Sequence, residues 1–294
     1  MLLLLFILSL VLYGVSVISI FFFKKRASYI LSIFYMTIFA STTLFIGYLA
    51  YTNGEFLHVK HAIIDTFEQE DVTKDKKVHA ETIKHEGKEA KGKIKKAVQL
   101  EAPLIEQLPE LPRGCEVTAL SMLLSFHGID VDKMTLAEEV KRSTQAYQYK
   151  NGQVHFGNPD NGFVGSMYTF DEPGLGVYHG PIASLAKKHA ANLQVIDFTG
   201  EDFKEVKRHI SEGHPVWVII NSHYTHLPKE QFETWQTEDG PIDITYRQHA
   251  VLITGYDEEK VYFNDPLNYR SSAPIKDFIA AWEQMGKQSI TMYE

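Results

Sequence analysis

The chain has 294 residues, 29 basic and 37 acidic side chains, a formal net charge of −8 and one cysteine. A lone thiol excludes an intrachain disulfide, so any folded domain must rest on its hydrophobic core, for which the length is ample. Residues 101–294 carry 16 basic and 28 acidic side chains with no basic stripe, which argues against nucleic acid as a partner and would steer cationic peptides inward.

Residues 1–23 and 27–51 contain no charged side chain, and Lys24, Lys25 and Arg26 lie between them. Each run exceeds the roughly 20 residues needed to cross a bilayer core, so residues 1–51 are expected to form a transmembrane hairpin in contact with membrane lipid. A cleaved signal peptide fits less well, because nothing basic precedes Leu2 and the apolar run is too long. The basic triplet belongs in the cytoplasm, which puts everything after residue 51 outside the cell. Residues 52–100 read as a charged extracytoplasmic spacer. Between Asp65 and Lys96 they are mostly Lys, Glu, Asp and His, too polar to bury a core.

A domain is expected from Glu101 onward. Its first helix spans Cys115 to His127, with Gly128 as the stop. Val117, Ala119, Leu120, Met122, Leu123, Leu124 and Phe126 cover nearly its whole circumference, the mark of a central buried helix. A second helix runs from Thr135, capped by its hydroxyl and Glu138, to Ser143. Residues 145–179, crowded with glycine, asparagine, proline and aromatics, read as a long loop suited to a binding wall. Helices follow at 181–191 and 201–212, each leading into a strand, Leu193–Phe198 and Pro215–Asn221. Strands at 246–256 and 260–264, a helix at 275–285 and a strand at Gln288–Tyr293 close the chain. Helices early and antiparallel strands late predict an α+β domain. There is no internal repeat and no nucleotide-binding glycine fingerprint.

Cys115 follows Gly114 at the mouth of the first helix, where unpaired amides and the helix dipole favour thiolate. Gly114 is expected to leave room for a substrate carbonyl. His249 opens a strand-like run, and its hairpin partner ends in Asn264-Asp265-Pro266. A short turn at Asp257–Glu259 returns Asp265 to within a few rungs of His249. His249 would take the thiol proton, and either Asp265 or Asn264 would orient its ring. The Cys115 amide and the Gln107 side chain are candidate oxyanion donors. Such chemistry needs no metal or organic cofactor. His223 and His226 are too poorly supported by carboxylates to suggest a metal site.

These segments resemble the papain-like cysteine peptidases related to the bacteriocin-processing (double-glycine) leader peptidases, family thirty-nine in type, and especially the membrane-anchored members of Gram-positive bacteria. The resemblance covers residues 101–294. It rests on Gln107, Leu111-Pro112-Arg113-Gly114-Cys115-Glu116-Val117-Thr118-Ala119-Leu120, Phe163-Val164-Gly165, Gly176-Val177-Tyr178-His179-Gly180-Pro181, His249-Ala250-Val251, Asn264-Asp265-Pro266, Phe278-Ile279-Ala280-Ala281-Trp282 and Met285-Gly286. It implies a papain-like α+β fold with the central helix packed on an antiparallel sheet. Cys115 maps to the nucleophile, His249 to the base, Asp265 to its orienting acid and Gln107 to the oxyanion donor. The transporter-fused leader peptidases carry Asp-Cys-Gly-Pro at the nucleophile, whereas this chain has Gly114-Cys115-Glu116-Val117. A peptide or protein substrate, exported or wall-associated, is therefore expected without commitment to a leader sequence. A cell-wall peptide hydrolase or amide-transfer enzyme of the same chemistry, or a non-catalytic anchored peptide-binding protein, are the alternatives.

Overall fold

The computed structural model describes residues 11–12, 33, 35, 37–45 and 94–294. Most of the two expected membrane spans and most of the spacer lie outside these residues. Among the described residues no helix is long and apolar enough to cross a membrane.

The domain is α+β. Its elements run β1 (Val98–Gln99), α1 (Cys115–Phe126), α2 (Lys133–Glu139), β2 (Gln148–Lys150), β3 (Gln153–His155), α3 (His179–His189), β4 (Gln194–Asp197), α4 (Phe203–Ser211), β5 (Val216–Asn221), β6 (Glu233–Thr237), β7 (Gly240–Ile244), β8 (Gln248–Tyr256), β9 (Lys260–Asn264), β10 (Ser272–Pro274), α5 (Ile275–Gln284) and β11 (Ser289–Tyr293). The main sheet is ordered β10-β9-β8-β5-β11-β4, with β1 paired to β8. β1 joins through Val98 opposite Tyr256, so the sheet begins ahead of the expected start at Glu101.

Alternation along β5 and β8 explains how the site is layered. Trp217, Ile219, Ala250 and Leu252 face α1 and share its core. Val218, Ile220, Val251 and Ile253 face the opposite layer, where α4 and α5 supply Phe203, Val206, Phe278 and Trp282. Side chains that alternate between two covered faces are apolar at every position. That is why both strands read as unbroken apolar runs.

α1 is buried from Cys115 to Leu124, as an all-round apolar helix must be. Two expectations fail locally. α2 starts at Lys133, because the Asp132 carboxylate accepts from the Met134 and Thr135 amides and thereby takes the capping role assigned to Thr135. Residues 145–179 are not structureless. β2 and β3 form a hairpin there, and β3 runs parallel to β6, giving a second sheet β2-β3-β6-β7. Phe156, Val164, Leu175, Trp235 and Ile244 make a separate small core beneath it.

Candidate active site

Gly114 precedes α1 because the chain folds tightly back there. A Cβ on it would sit 2.4 Å from Cβ of Leu111. Packing against Leu111, rather than space for a substrate carbonyl, is what this glycine provides. Cys115 then occupies the first helical position, where its backbone N–H has no acceptor four residues back.

His249, second residue of β8, lies opposite Ile220 of β5. Its side chain leaves on the face of Val251, and its Nε2 is 2.7 Å from Oδ1 of Asp265. Three further donors converge on that carboxylate. The Tyr224 hydroxyl reaches Oδ2 at 2.8 Å, the Leu267 amide reaches Oδ1 at 2.8 Å, and the Tyr269 amide reaches Oδ2 at 3.3 Å. Burial alone would raise the pKa of Asp265. The His249 charge and hydrogen bond, together with the Leu267 amide and the Tyr224 hydroxyl, outweigh it and hold the group below the usual carboxylate range. An ionised carboxylate only accepts, so Nε2 carries the hydrogen toward Asp265 and Nδ1 is left to receive a proton. The Tyr224 ring meets the imidazole edge to face, centroids 6.2 Å apart. Asn264 points elsewhere, donating to the carbonyls of Ala102 and Pro103. Asp265 is therefore the residue that faces His249.

The thiol has a different partner. Cys115 Sγ donates to Oε2 of Glu116 at 3.3 Å, and among the described residues no hydrogen bond joins it to His249. Burial comes first, and the adjacent Glu116 charge second, in pushing the Cys115 pKa well above its ordinary value; the Ala250 amide opposes them. The helix start therefore does not yield the standing thiolate that its dipole alone suggests. The groups still form one electrostatic cluster. The Asp265 charge bears on the thiol, a charge on the thiol would bear on Tyr224, and the His249 charge bears on Glu116.

Gln107 is brought to the cluster by its backbone, whose N–H donates to the Pro266 carbonyl at 2.8 Å. Its side-chain NH2 is engaged with the carbonyls of Leu111 and Pro112, both at 3.0 Å, and its Oε1 is buried without a partner. That amide must turn before it can serve an oxyanion. The Cys115 N–H, at the helix start, is the other candidate donor.

Glu116, Gln248 and Tyr224 were not singled out by the sequence reading. For Glu116 a signal existed: a helix apolar on nearly every side leaves no solvent face for the acid beside the cysteine. Arg113 braces the rim of the site, donating to the carbonyls of Ser166 and Thr169 and lying 4.8 Å over the Phe170 ring. Tyr147, Tyr168, Phe170 and Tyr246 remain exposed.

The sequence profile of the Peptidase_C39 like family matches residues 99–290. YvpB of Bacillus subtilis (strain 168), named as an uncharacterized protein, is 43% identical over 208 residues, 70% of this chain and 78% of that one. A crystal structure described as that of a "putative C39-like peptidase" from Bacillus anthracis superposes with a TM-score of 0.62 at 44% identity, covering 68% of this chain and 98% of that one. A double-glycine-motif protease of an AMS/PCAT transporter, solved with its leader peptide, is a far more distant likeness, with a TM-score of 0.36 and 14% identity over 66% of this chain and 91% of that one.

Proposed function

Because the chain belongs to the Peptidase_C39 like family, we propose that it is a cysteine peptidase with Cys115 as nucleophile, His249 as general base and Asp265 as the group that fixes the imidazole. The observation that carries this reading is the buried His249–Asp265 pair at 2.7 Å, which leaves Nδ1 as the ring nitrogen able to accept a proton. In the first step the S–H proton passes to Nδ1 and the sulfur attacks the substrate carbonyl carbon. The Cys115 N–H stabilises the resulting oxyanion, joined by Gln107 if its amide turns inward. The imidazolium returns its proton to the leaving amine as the C–N bond breaks, giving a thioester. Water, deprotonated by the same nitrogen, then releases the acid and restores the thiol.

The substrate in this reading is a peptide or protein. Amide transfer and cleavage of wall peptides use the same steps and differ only in the acceptor and the peptide. We place the enzyme at the cell membrane with its catalytic domain outside, on the strength of the two charge-free runs and the basic triplet between them. Protease added to intact cells is expected to cut within residues 52–100, whereas cutting only after lysis would reverse that orientation.

Alkylation tests the thiol–imidazole pair directly, since one cysteine gives one label. Haloacetamide modification of the full chain near neutral pH is expected to be about 10²-fold faster than in His249→Ala, the usual scale for a positioned base. Equal rates in the two proteins would overturn the pairing.

A further inference from the structure

We propose that Glu116 is a positioning residue that latches the nucleophile: in the resting protein its Oε2 takes the Cys115 S–H hydrogen bond, and the sulfur must leave it before His249 can take the proton. The latch rests on Cys115 being the nucleophile, and it concerns how that nucleophile is held before reaction.

Glu116 is 1% exposed, in the first turn of a helix with no solvent face. Its two oxygens have separate tasks. Oε1 accepts from the Val177 amide at 2.9 Å and from Gln248 Nε2 at 2.6 Å, tying the 174–178 segment and the start of β8 to the helix that bears the cysteine. Oε2 faces the sulfur. Gly176 allows this closeness, for a Cβ there would lie 2.1 Å from Oε1. The Glu116 carbonyl is itself fixed by Trp217 Nε1 at 3.0 Å. One oxygen thus suffices for the bridge, and the neutral oxygen of a glutamine would make the same two bonds. The second oxygen adds an acceptor and a charge beside the thiol, and both keep the proton on sulfur.

Among the described residues no Lys or Arg pairs with this carboxyl. Burial raises its pKa to about 7, with the Val177 amide and then the thiol and His249 opposing. The titratable groups facing it are Cys115 on its own helix, His249 from β8 and Tyr178 from the 174–178 segment. The latch is therefore charged above neutrality and neutral below it.

The test uses the full chain labelled with 13C at the cysteine Cβ, which gives a single resonance to titrate. Glu116→Gln keeps the oxygen that serves Val177 and Gln248 and sets an NH2 against the sulfur. Its thiol titration midpoint is expected to fall by at least about one pH unit, and alkylation at pH 7 to rise about tenfold. A role confined to bridging, which the glutamine oxygen still fills, would leave that midpoint unmoved, and an unmoved midpoint overturns the latch. A second measurement does not depend on that variant. In His249→Ala, where no imidazole titrates beside the thiol, the cysteine resonance is expected to keep an inflection near pH 7 from Glu116; its loss would equally overturn the proposal. Alkylation that ignores His249 would remove the peptidase reading beneath it, whereas a His249-dependent thiol with an unmoved Glu116→Gln midpoint removes the latch alone.

Discussion

Cys115→Ala is expected to abolish peptide hydrolysis, by about 10⁴-fold or more, because no other atom of the site can form the thioester. Folding should survive. The side chain removed is one sulfur at the edge of the core, 8% exposed, whose loss costs about 1 kcal/mol. Its hydrogen-bond partner Glu116 keeps the Val177 amide and Gln248. The comparison to make is turnover of a peptide library alongside thermal melting of the same sample. An anchored peptide-binding protein predicts the reverse pattern, with its cellular role intact after the substitution. Retention of hydrolysis by Cys115→Ala would end the peptidase reading.

Asp265→Ala is expected to damage both rate and fold. The carboxylate is 2% exposed and takes hydrogen bonds from His249, Tyr224, Leu267 and Tyr269. Truncation strands these donors in a buried place and removes the partner of a buried pair, a loss of about 3–5 kcal/mol. The imidazole then loses what fixes its tautomer, which costs about 10³- to 10⁴-fold in turnover. Asp265→Asn separates the two effects. Its amide oxygen can still accept from Nε2 and Leu267 while its NH2 meets the Tyr224 hydroxyl and the Tyr269 amide, so it is expected to lose less stability than Asp265→Ala while favouring the imidazolium less. The pH dependence of stability has a definite sign. The folded pKa of Asp265 lies below its unfolded value, so its contribution is complete above about pH 4 and fades as pH falls through the folded pKa. Urea unfolding of native and Asp265→Ala chains between pH 3 and 7 would check both claims. Matching stabilities at pH 7 would refute the first.

Much of the domain could be read from residues alone, for physical reasons. β5 and β8 are covered on both faces, and α1 on nearly all sides, so their apolar runs are long and unmistakable. The antiparallel return from β8 to β9 followed from the turn after Tyr256, and it carried Asp265 back to His249. The β6–β7 hairpin went unread because Glu233, Thr234, Gln236, Thr237 and Asp243 make it polar, with only Trp235 and Ile244 buried. β2 and β3 are three residues each, below what alternation can reveal. Tyr224 sits in a polar turn with φ of 54°, and nothing along the chain links it to Asp265, 41 residues on. The partner of the thiol was missed for another reason. A helix start favours thiolate, but burial and the adjacent acid outweigh it here.

Neighbouring residues of β8 serve opposite layers of the domain. Gln248 turns to Glu116 and the cysteine-bearing helix, and His249 turns to Asp265. A frame shift of one position along this strand would turn both to the other face, taking the imidazole away from Asp265 and the amide away from the buried acid. The chemistry is thus encoded in the parity of a single ladder, held by six consecutive pairings with β5. Any insertion or deletion tolerated by this edge of the domain must spare that count.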